Sequence, residues 1–268
     1  MITSTANQQV KNIIALTKKA KERKKQNLFV VEGTKMVQEA KKEWIYAVYV
    51  SETYARNPEN EELILTLKQE SEKGVYGFEV FSDSVFKSVS DTQTPQGILA
   101  LIKMPSYEWD ALTKKKPALL LVLDSVQDPG NLGTMIRTGE GAGITGVIMN
   151  KTTVDLFNPK TIRSTMGSIY RVPFYIADDL PERLKKLKKE GVLLFAAHLK
   201  GEKMYDAFSY TGDCGFLIGN EGNGLSDEIA RLADTYIKIP MEGKVESLNA
   251  AIAASLLLYE ANRQRRVE

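Results

Sequence analysis

The chain is poor in several residue types and patterns, and each shortage narrows the reading. Among 268 residues there is one cysteine, Cys214, and one histidine, His198. A lone cysteine excludes an intrachain disulfide framework. Long apolar runs are missing: stretches such as ALLLVL at 118–123 fall far below the roughly 20 residues a membrane helix needs, so no span is expected. The start, MITSTANQQVKN, lacks the charged-then-apolar pattern of a secretory leader, and the cytoplasm is the expected compartment. Net charge is nearly absent, with 36 Lys plus Arg against 34 Asp plus Glu, so overall charge says little about partners. Repeats and low-complexity segments are absent as well.

The charge that is present is unevenly placed. Residues 8–25, QQVKNIIALTKKAKERKK, read as a helix with Val10, Ile13, Ile14 and Leu16 towards one side, and carry seven basic residues against one acidic. This is either a phosphate-contacting arm or a solvated helix face. RLKKLKK at 183–189 reads as the wet side of an amphipathic helix, with Leu184 and Leu187 facing inwards. Arg263, Arg265 and Arg266 either complement the negative end of the last helix or meet an anionic partner.

From 27 to 104 strands and helices alternate: NLFVVEG, IYAVYVS, YGFEVF and GILALIK read as strands, 33–42 and 59–73 as helices. This is a small α/β unit, forming with the basic arm a first domain over 1–104. MPSYEWDALTKKKP has prolines near both ends and no clean periodicity, which suits a linker over 105–117. Beyond it ALLLVLD, GVIMN, RVPFYIA, VLLFAAH, GFLIGN and YIKIP are short buried-looking strands separated by helical stretches. That pattern belongs to a mostly parallel sheet covered on both faces, here a second domain over 118–268.

Three stretches of this second half stand out. FLIGNEGNGLS, 216–226, is a glycine loop after a strand with Glu221 at its centre. Phosphate loops offer backbone N–H groups and usually a following lysine; this loop has no GK[ST], and Glu221 would repel phosphate. Its ligand is therefore neutral with hydroxyls, or positively charged, unless the loop is a plain turn with an exposed Glu. In IPMEGKVESLNAAIAASLLLYEANRQ, 239–264, Ser247 is placed to cap a helix with hardly any polar side, destined for the core or a subunit interface. Ser247 and Asn249 sit at its entrance. In LDSVQDPGNLGTMIRTGEGAG, 123–143, a strand ends at Asp124, and Asn131 or a neighbour caps a helix bearing Arg137. GEGAG looks superficially like a dinucleotide fingerprint, but its glycines end a helix where the fingerprint requires them to open one. A nicotinamide dehydrogenase is thereby disfavoured.

Taken in order, DPGNLGTMIRT, IGNEGNGLS and IPMEGKVESLNAAIAASLLLYE resemble the three motifs of the SpoU (TrmH-like) class of the SPOUT superfamily of RNA ribose 2'-O-methyltransferases. The resemblance covers residues 118–264. The region before the linker is similar to the L30e-like α/β substrate-binding module of rRNA-modifying members. The resemblance implies an α/β SPOUT domain with a mostly parallel sheet threaded into a trefoil knot, preceded by the smaller L30e-like α/β domain. It also implies a homodimer, S-adenosylmethionine as cofactor, no metal, and RNA as partner. The cofactor carries a sulfonium and ribose hydroxyls, so Glu221 has no phosphate to repel.

Carried over by motif, Gly219, Ile239 and Leu248 would contact the cofactor largely through backbone, with Asn220 and Met241 close by. Asn131, Arg137, Glu221, Ser247 and Asn249 would form the polar active site. The implied chemistry is in-line attack of a ribose 2'-hydroxyl on the methyl group, and a sugar hydroxyl needs help as a nucleophile near neutral pH. A guanidinium has no lone pair to offer there. Arg137 is therefore expected to fix the nucleotide phosphate and stabilise developing alkoxide charge. Asn131 and Ser247 would hold the hydroxyl and phosphate, Glu221 would orient Arg137 or the cofactor ribose, and Asn249 would position the loop. With RNA as substrate, Lys18, Lys19, Lys21, Arg23, Lys24 and Lys25 become the expected phosphate contacts. Ribosomal RNA of the large subunit is the leading target; a tRNA ribose methyltransferase and a non-catalytic RNA-binding assembly factor are the alternatives. His198, outside all three motifs, is read as structural.

Overall fold

The computed structural model describes residues 1–267. They form two compact units, Met1–Pro105 with Phe157–Tyr170, and Ser106–Leu156 with the chain from Arg171 onwards.

In the first, α1 (Gln8–Lys18) and α2 (Ala20–Gln26) precede β1 (Leu28–Glu32), α3 (Thr34–Gln38), β2 (Ile45–Ser51), α4 (Glu52–Arg56), α5 (Glu61–Glu72), β3 (Gly77–Phe81), α6 (Asp83–Val89) and β4 (Ile98–Lys103). The strands pair in the order β1-β4-β2-β3, with β2 and β3 parallel and the other neighbours antiparallel. Val10, Ile13 and Leu16, at helical spacing on α1, are fully buried in one cluster with Leu28, Phe81, Val85 and Leu99.

The basic arm departs from the single helix expected over 8–25. Lys19 is extended (φ −122°, ψ 111°) and separates α1 from α2. Arg23, 3% exposed, folds back so that its guanidinium donates to the carbonyls of Leu16 at 2.7 Å and Thr17 at 3.0 Å. The break leaves those carbonyls without helical donors, and a buried guanidinium needs acceptors, so each satisfies the other. Arg23 is thus spent inside the fold and leaves the phosphate-contacting set; Lys18, Lys19, Lys21, Lys24 and Lys25 remain exposed.

The chain continues through β5 (Leu119–Leu123), α7 (Pro129–Ala142) and β6 (Gly146–Asn150). Next comes α8 (Pro159–Thr165), which belongs to the first unit. The second unit then resumes with β7 (Phe174–Ala177), α9 (Leu180–Lys189), β8 (Leu193–Ala197), β9 (Lys203–Met204), β10 (Cys214–Ile218), α10 (Asp227–Ala230), β11 (Thr235–Lys238) and α11 (Ala250–Val267). Its seven strands pair in parallel throughout, in the order β7-β6-β5-β10-β8-β11-β9. All five residues of β5 and of β10 are buried, as both faces of a parallel sheet require. Leu184 and Leu187 of α9 are fully buried, so its lysines do form a wet face.

Two boundaries differ from the sequence reading. Phe157 stacks on Phe29 with ring centroids 4.9 Å apart, and the Tyr170 hydroxyl donates to the Met36 carbonyl at 3.0 Å. Residues 157–170 therefore pack with the first unit although they lie within 118–268. Inside 105–117, Trp109 and Leu112 are buried in the second unit's core with Leu120, Leu184 and Leu187, because two large apolar side chains one helical turn apart have an apolar surface to fill.

Chain order reverses between β5 and β10: β6 and β7 lie beyond β5 on one side, β8 and β11 beyond β10 on the other. The crevice at the carboxyl ends of such a strand pair is where open α/β sheets bind ligands. Among the described residues no helix is long and apolar enough to cross a membrane, and no group of His, Cys, Asp or Glu is set to hold a metal ion.

Candidate active site

The loop after β5 and the loop after β10 meet at this switch point. Asp128 caps α7, its carboxylate accepting the Asn131 N–H at 2.8 Å, and Pro129 opens the helix. Glu221 reaches across from the second loop. Its carboxylate accepts the N–H groups of Gln127 (3.0 Å) and Asp128 (3.1 Å) and the side-chain amide of Asn131 (2.9 Å). The carboxylate in the glycine loop thus faces the positive end of a helix, which favours negative charge.

The third motif joins through Asn249. Its Nδ2 donates to Asn131 Oδ1 at 3.0 Å, while its Oδ1 accepts the N–H groups of Ala251 (2.9 Å) and Ile252 (3.3 Å). Asn249 is therefore the cap of α11, and the capping role expected of Ser247 is corrected: the helix starts at Ala250, two residues later than a Ser247 cap allows. Asn249, Asn131 and Glu221 form one hydrogen-bonded chain through all three motifs.

Burial pushes the Glu221 carboxyl up, but the hydrogen bonds donated by Asn131 and by the Gln127 and Asp128 N–H groups outweigh it and hold it below the ordinary carboxylate value. Because the folded value lies below the unfolded one, the contribution to stability is complete above the ordinary value and is lost as pH falls through the lowered one. A Glu221→Gln protein is expected to be less stable at neutral pH by about 1 kcal/mol, discounted for the exposure of this side chain. That is a loss of about 2–4 °C in Tm. Thermal unfolding at successively lower pH checks this: the gap between variant and wild type closes in acid, and a gap that stays constant sinks the assignment.

The glycine loop itself is tightly folded. Asn220 and Gly224 exchange backbone hydrogen bonds at 2.9 Å each, and Asn220 Oδ1 accepts the N–H groups of Gly222 and Asn223. A Cβ on Gly219 would lie 2.1 Å from the Gly224 carbonyl carbon and the Leu225 nitrogen. Asn220 Nδ2 donates to the Ser125 carbonyl at 2.9 Å, tying this loop to the first.

Other candidates stand apart from this chain of bonds. Arg137 lies six residues beyond Asn131, about 9 Å along α7 and roughly 120° around it. Its exposed guanidinium has no side-chain partner among the described residues, and Glu221 does not touch it, so the expectation that Glu221 orients Arg137 is corrected: both carboxylate oxygens are used on the α7 entrance. Ser247 is also exposed, its hydroxyl without a partner among the described residues. Residues 241–248, including Met241 and Leu248, make no backbone–backbone hydrogen bond among the described residues, which leaves their peptide groups to a ligand or to water. Ile239 follows the end of β11 and is partly buried. His198 stacks on Tyr236 (centroids 4.9 Å apart) and its Nδ1 accepts the Lys200 N–H, a structural use. Arg265 donates to four carbonyls, of Tyr210, Pro117, Ala118 and Gly212, and Arg263 pairs with Glu260 at 2.7 Å, so both serve the fold.

Asp124 is the residue the sequence reading passed over. It is 4% exposed; its carboxylate accepts the N–H (2.9 Å) and hydroxyl (2.7 Å) of Ser226, the Asn150 amide (2.7 Å) and the Ser125 hydroxyl (3.2 Å). It thereby anchors Ser125, whose carbonyl also receives the Gln127 amide. The available signal was a carboxylate directly after five apolar strand residues.

Comparison with known proteins identifies the family of the chain. Residues 118–259 match the SpoU rRNA Methylase family, and residues 7–100 match an MRM3-like substrate binding domain. The chain is 36% identical to the 23S rRNA (guanosine(2553)-2'-O)-methyltransferase RlmP of Bacillus subtilis, covering 96% of this chain and 97% of that one. It superposes on the SpoU methyltransferase AviRb of Streptomyces viridochromogenes in complex with AdoMet (TM-score 0.85, 26% identity, 98% and 100% covered). It likewise superposes on an AdoMet-bound rRNA methyltransferase of Sinorhizobium meliloti (TM-score 0.83, 30% identity, 98% and 97% covered).

Proposed function

This chain belongs to the SpoU rRNA methylase family, and from that premise we propose that it methylates a ribose 2'-hydroxyl of large-subunit (23S) ribosomal RNA with S-adenosylmethionine. The observation that carries this reading is the Asn249–Asn131–Glu221 chain, which joins three separate loops at the switch point of the sheet. The residues fit the cofactor: the glycine loop has no cationic anchor for phosphate, Glu221 gives it negative potential, and 241–248 has unspent backbone groups for an adenosine and its amino-acid end.

When bound, the cofactor would supply a methyl group on a positively charged sulfur. Gly219, Ile239 and Leu248 would hold it largely through backbone, with Asn220 and Met241 close by. Glu221 and Asn249 act by position, fixing Asn131 at the α7 entrance. Arg137 and Ser247, whose polar groups the fold leaves free, are assigned to the RNA: Arg137 to the phosphate and to the charge that grows on the attacking oxygen, Ser247 and Asn131 to the hydroxyl. The proton leaves to water or to an RNA phosphate oxygen. The cytoplasm, where ribosomal RNA of bacterial relatives resides, is the compartment. A trefoil knot is part of the same proposal and rests on membership of the family.

The test is a map of 2'-O-methyl groups on 23S rRNA and tRNA from cells with and without this chain. One 23S ribose methylated only in its presence is the expected result. A dependent site on tRNA would move the substrate, and no dependent site would overturn the reading.

A homodimer belongs to the same proposal. α11 buries Ala250, Ala251, Ala254, Leu257 and Leu258 but exposes Ile252 (50%), Leu256 (39%) and Tyr259 (48%), at spacings of four and three. With Tyr205 these line an open cavity of about 380 Å³. A Cβ on Gly141 would lie 3.0 Å from the Tyr259 hydroxyl, and Gly141 is one turn beyond Arg137 on the same side of α7. A second copy seated on the stripe would therefore come against the side that carries Arg137. Leu256→Asp is expected to give monomer by sedimentation and to lower transfer activity at least about tenfold; an unchanged dimer places the interface elsewhere.

Replacing Lys18, Lys19, Lys21, Lys24 and Lys25 by Gln is expected to flatten the dependence of RNA affinity on salt, by up to about 0.9 in slope for each phosphate no longer neutralised. Arg23→Met is expected to leave the slope unchanged and to cost about 1–3 kcal/mol of stability through the two orphaned carbonyls. Filter binding and denaturant unfolding separate the two effects.

A further inference from the structure

Two residues past β5 the backbone takes a turn that most side chains resist. Ser125 has φ 59°, in the left-handed region that glycine enters freely and other residues enter at a cost. A serine persists there because neighbouring elements hold it. Its N–H donates to Asn150 Oδ1 at 3.0 Å, and its hydroxyl lies 2.7 Å from Thr152 Oγ1. Asn150 Nδ2 in turn donates to Ser125 Oγ at 3.1 Å and to Asp124 Oδ1 at 2.7 Å. The other oxygen of Asp124 accepts both the N–H and the hydroxyl of Ser226. Ser226 stands at the N-cap of α10, yet its side chain makes no cap bond to that helix; the hydroxyl is committed to Asp124 instead.

What the turn sets is the direction of one carbonyl. The Ser125 carbonyl receives two side-chain amides, Asn220 Nδ2 at 2.9 Å and Gln127 Nε2 at 3.0 Å, which occupy both of its lone pairs. The Asn220 amide is then held at both ends. Its Oδ1 accepts the N–H groups of Gly222 at 2.8 Å and Asn223 at 3.0 Å, so turning the amide over would set donor against donor. The shape of residues 220–224 is therefore dictated from the end of β5, and Glu221 comes to the α7 entrance as part of the same arrangement. With an ordinary φ at Ser125 the carbonyl would point elsewhere, and Asn220 would lose the acceptor that faces it.

We propose that Ser125 is a positioning residue for methyl transfer: held left-handed by Asp124 and Asn150, it aims its carbonyl at Asn220 and so presets the glycine loop that receives the cofactor. The inference rests on S-adenosylmethionine being the cofactor. It gives the part to the direction of the backbone; the hydroxyl serves only to hold the conformation. Strain kept at such a position is a form of preorganisation, because a loop shaped in advance does not have to be ordered by its ligand.

Two substitutions separate conformation from hydroxyl. Ser125→Gly enters the left-handed region freely but has no hydroxyl, whereas Ser125→Thr keeps the hydroxyl and its branched Cβ resists that region. The readouts are calorimetry of S-adenosylmethionine binding and steady-state methylation of 23S rRNA, with thermal unfolding as the control for folding. We expect Ser125→Gly to bind the cofactor within about threefold of wild type and Ser125→Thr to bind at least about tenfold weaker, the scale of backbone strain at such a position. The loss in Ser125→Thr should lie in KM for the cofactor, with kcat at saturating cofactor within about twofold of wild type; a general loss of folded enzyme would lower kcat and leave KM alone. Should Ser125→Thr not fold, Ser125→Ala decides. It lacks the hydroxyl as Ser125→Gly does but resists the left-handed region, and is expected to bind at least about threefold weaker than Ser125→Gly. Equal cofactor affinity across this series overturns the proposal. Ser125→Gly binding more weakly than Ser125→Thr also overturns it, because the hydroxyl would then be the active group. A wild-type protein that takes up no S-adenosylmethionine sinks the cofactor assignment itself, a result distinct from either.

Discussion

An Arg137→Ala protein is expected to bind S-adenosylmethionine as wild type does and to transfer methyl at least about a hundredfold more slowly, the scale on which loss of one preorganised donor to developing oxyanion charge acts. The first half of that expectation follows from what the side chain does in the fold, which is nothing: its guanidinium is exposed and unpartnered among the described residues, and the cofactor loops are held by Glu221, Asn131, Asn249 and Asp124 without it. The second follows from what the reaction lacks. A ribose hydroxyl gains negative charge as it attacks, and no histidine, lysine or metal ligand set lies among the residues that these bonds gather. Calorimetry for the cofactor and single-turnover methylation of 23S rRNA give the two numbers separately. Arg137→Lys keeps the charge but loses the planar fork, so it should recover only part of the rate. Turnover of the alanine variant within about threefold of wild type would falsify the role given to Arg137.

The sheet of the second unit was legible because each of its long strands is a continuous apolar run, and a strand buried on both faces has no other way to be written. β9, two exposed residues at the sheet edge, carries no such signal. The three motifs were legible as stretches, but their connections were not. Ser247 and Asn249 are both good cap residues on paper, and only the backbone path decides that Asn249 takes the α11 entrance while Ser247 stays free. Arg23 reads like its neighbours in a basic run until the break at Lys19 turns it inwards. Phe157 and Tyr170 give no hint in sequence that they pack with residues 29 and 36, since contact over more than a hundred residues has no local pattern. Glu221 was recognised as the odd residue of its loop, and its partners at the α7 entrance explain it: an anion placed at a helix N-terminus.

Gly219→Ala is expected to abolish measurable cofactor binding and to lower Tm by roughly 6–12 °C. One methyl group has this effect because its neighbours are backbone. The added Cβ would sit 2.1 Å from the Gly224 carbonyl carbon and the Leu225 nitrogen, atoms that cannot rotate aside. Gly219 cannot retreat either, since Ile218 before it is paired with Leu123 in the parallel ladder. Relief requires opening the two Asn220–Gly224 backbone hydrogen bonds. Overpacking of about 1–3 kcal/mol and about 1 kcal/mol for each lost bond bring the cost to about 3 kcal/mol or more, and a unit of this size loses about 2–4 °C per kcal/mol. Moving Gly224 also moves Leu225 and Ser226, hence the bonds from Ser226 to Asp124, and it carries Glu221 away from Asn131. The comparison that isolates the cause is Gly222→Ala in the same loop, where the nearest atom to the added Cβ is Asn220 Oδ1 at an ordinary 3.5 Å. That variant should unfold within about 0.5 kcal/mol of wild type and retain cofactor binding. If the two alanines behave alike in calorimetry and thermal unfolding, the close approach at Gly219 is not what shapes the pocket.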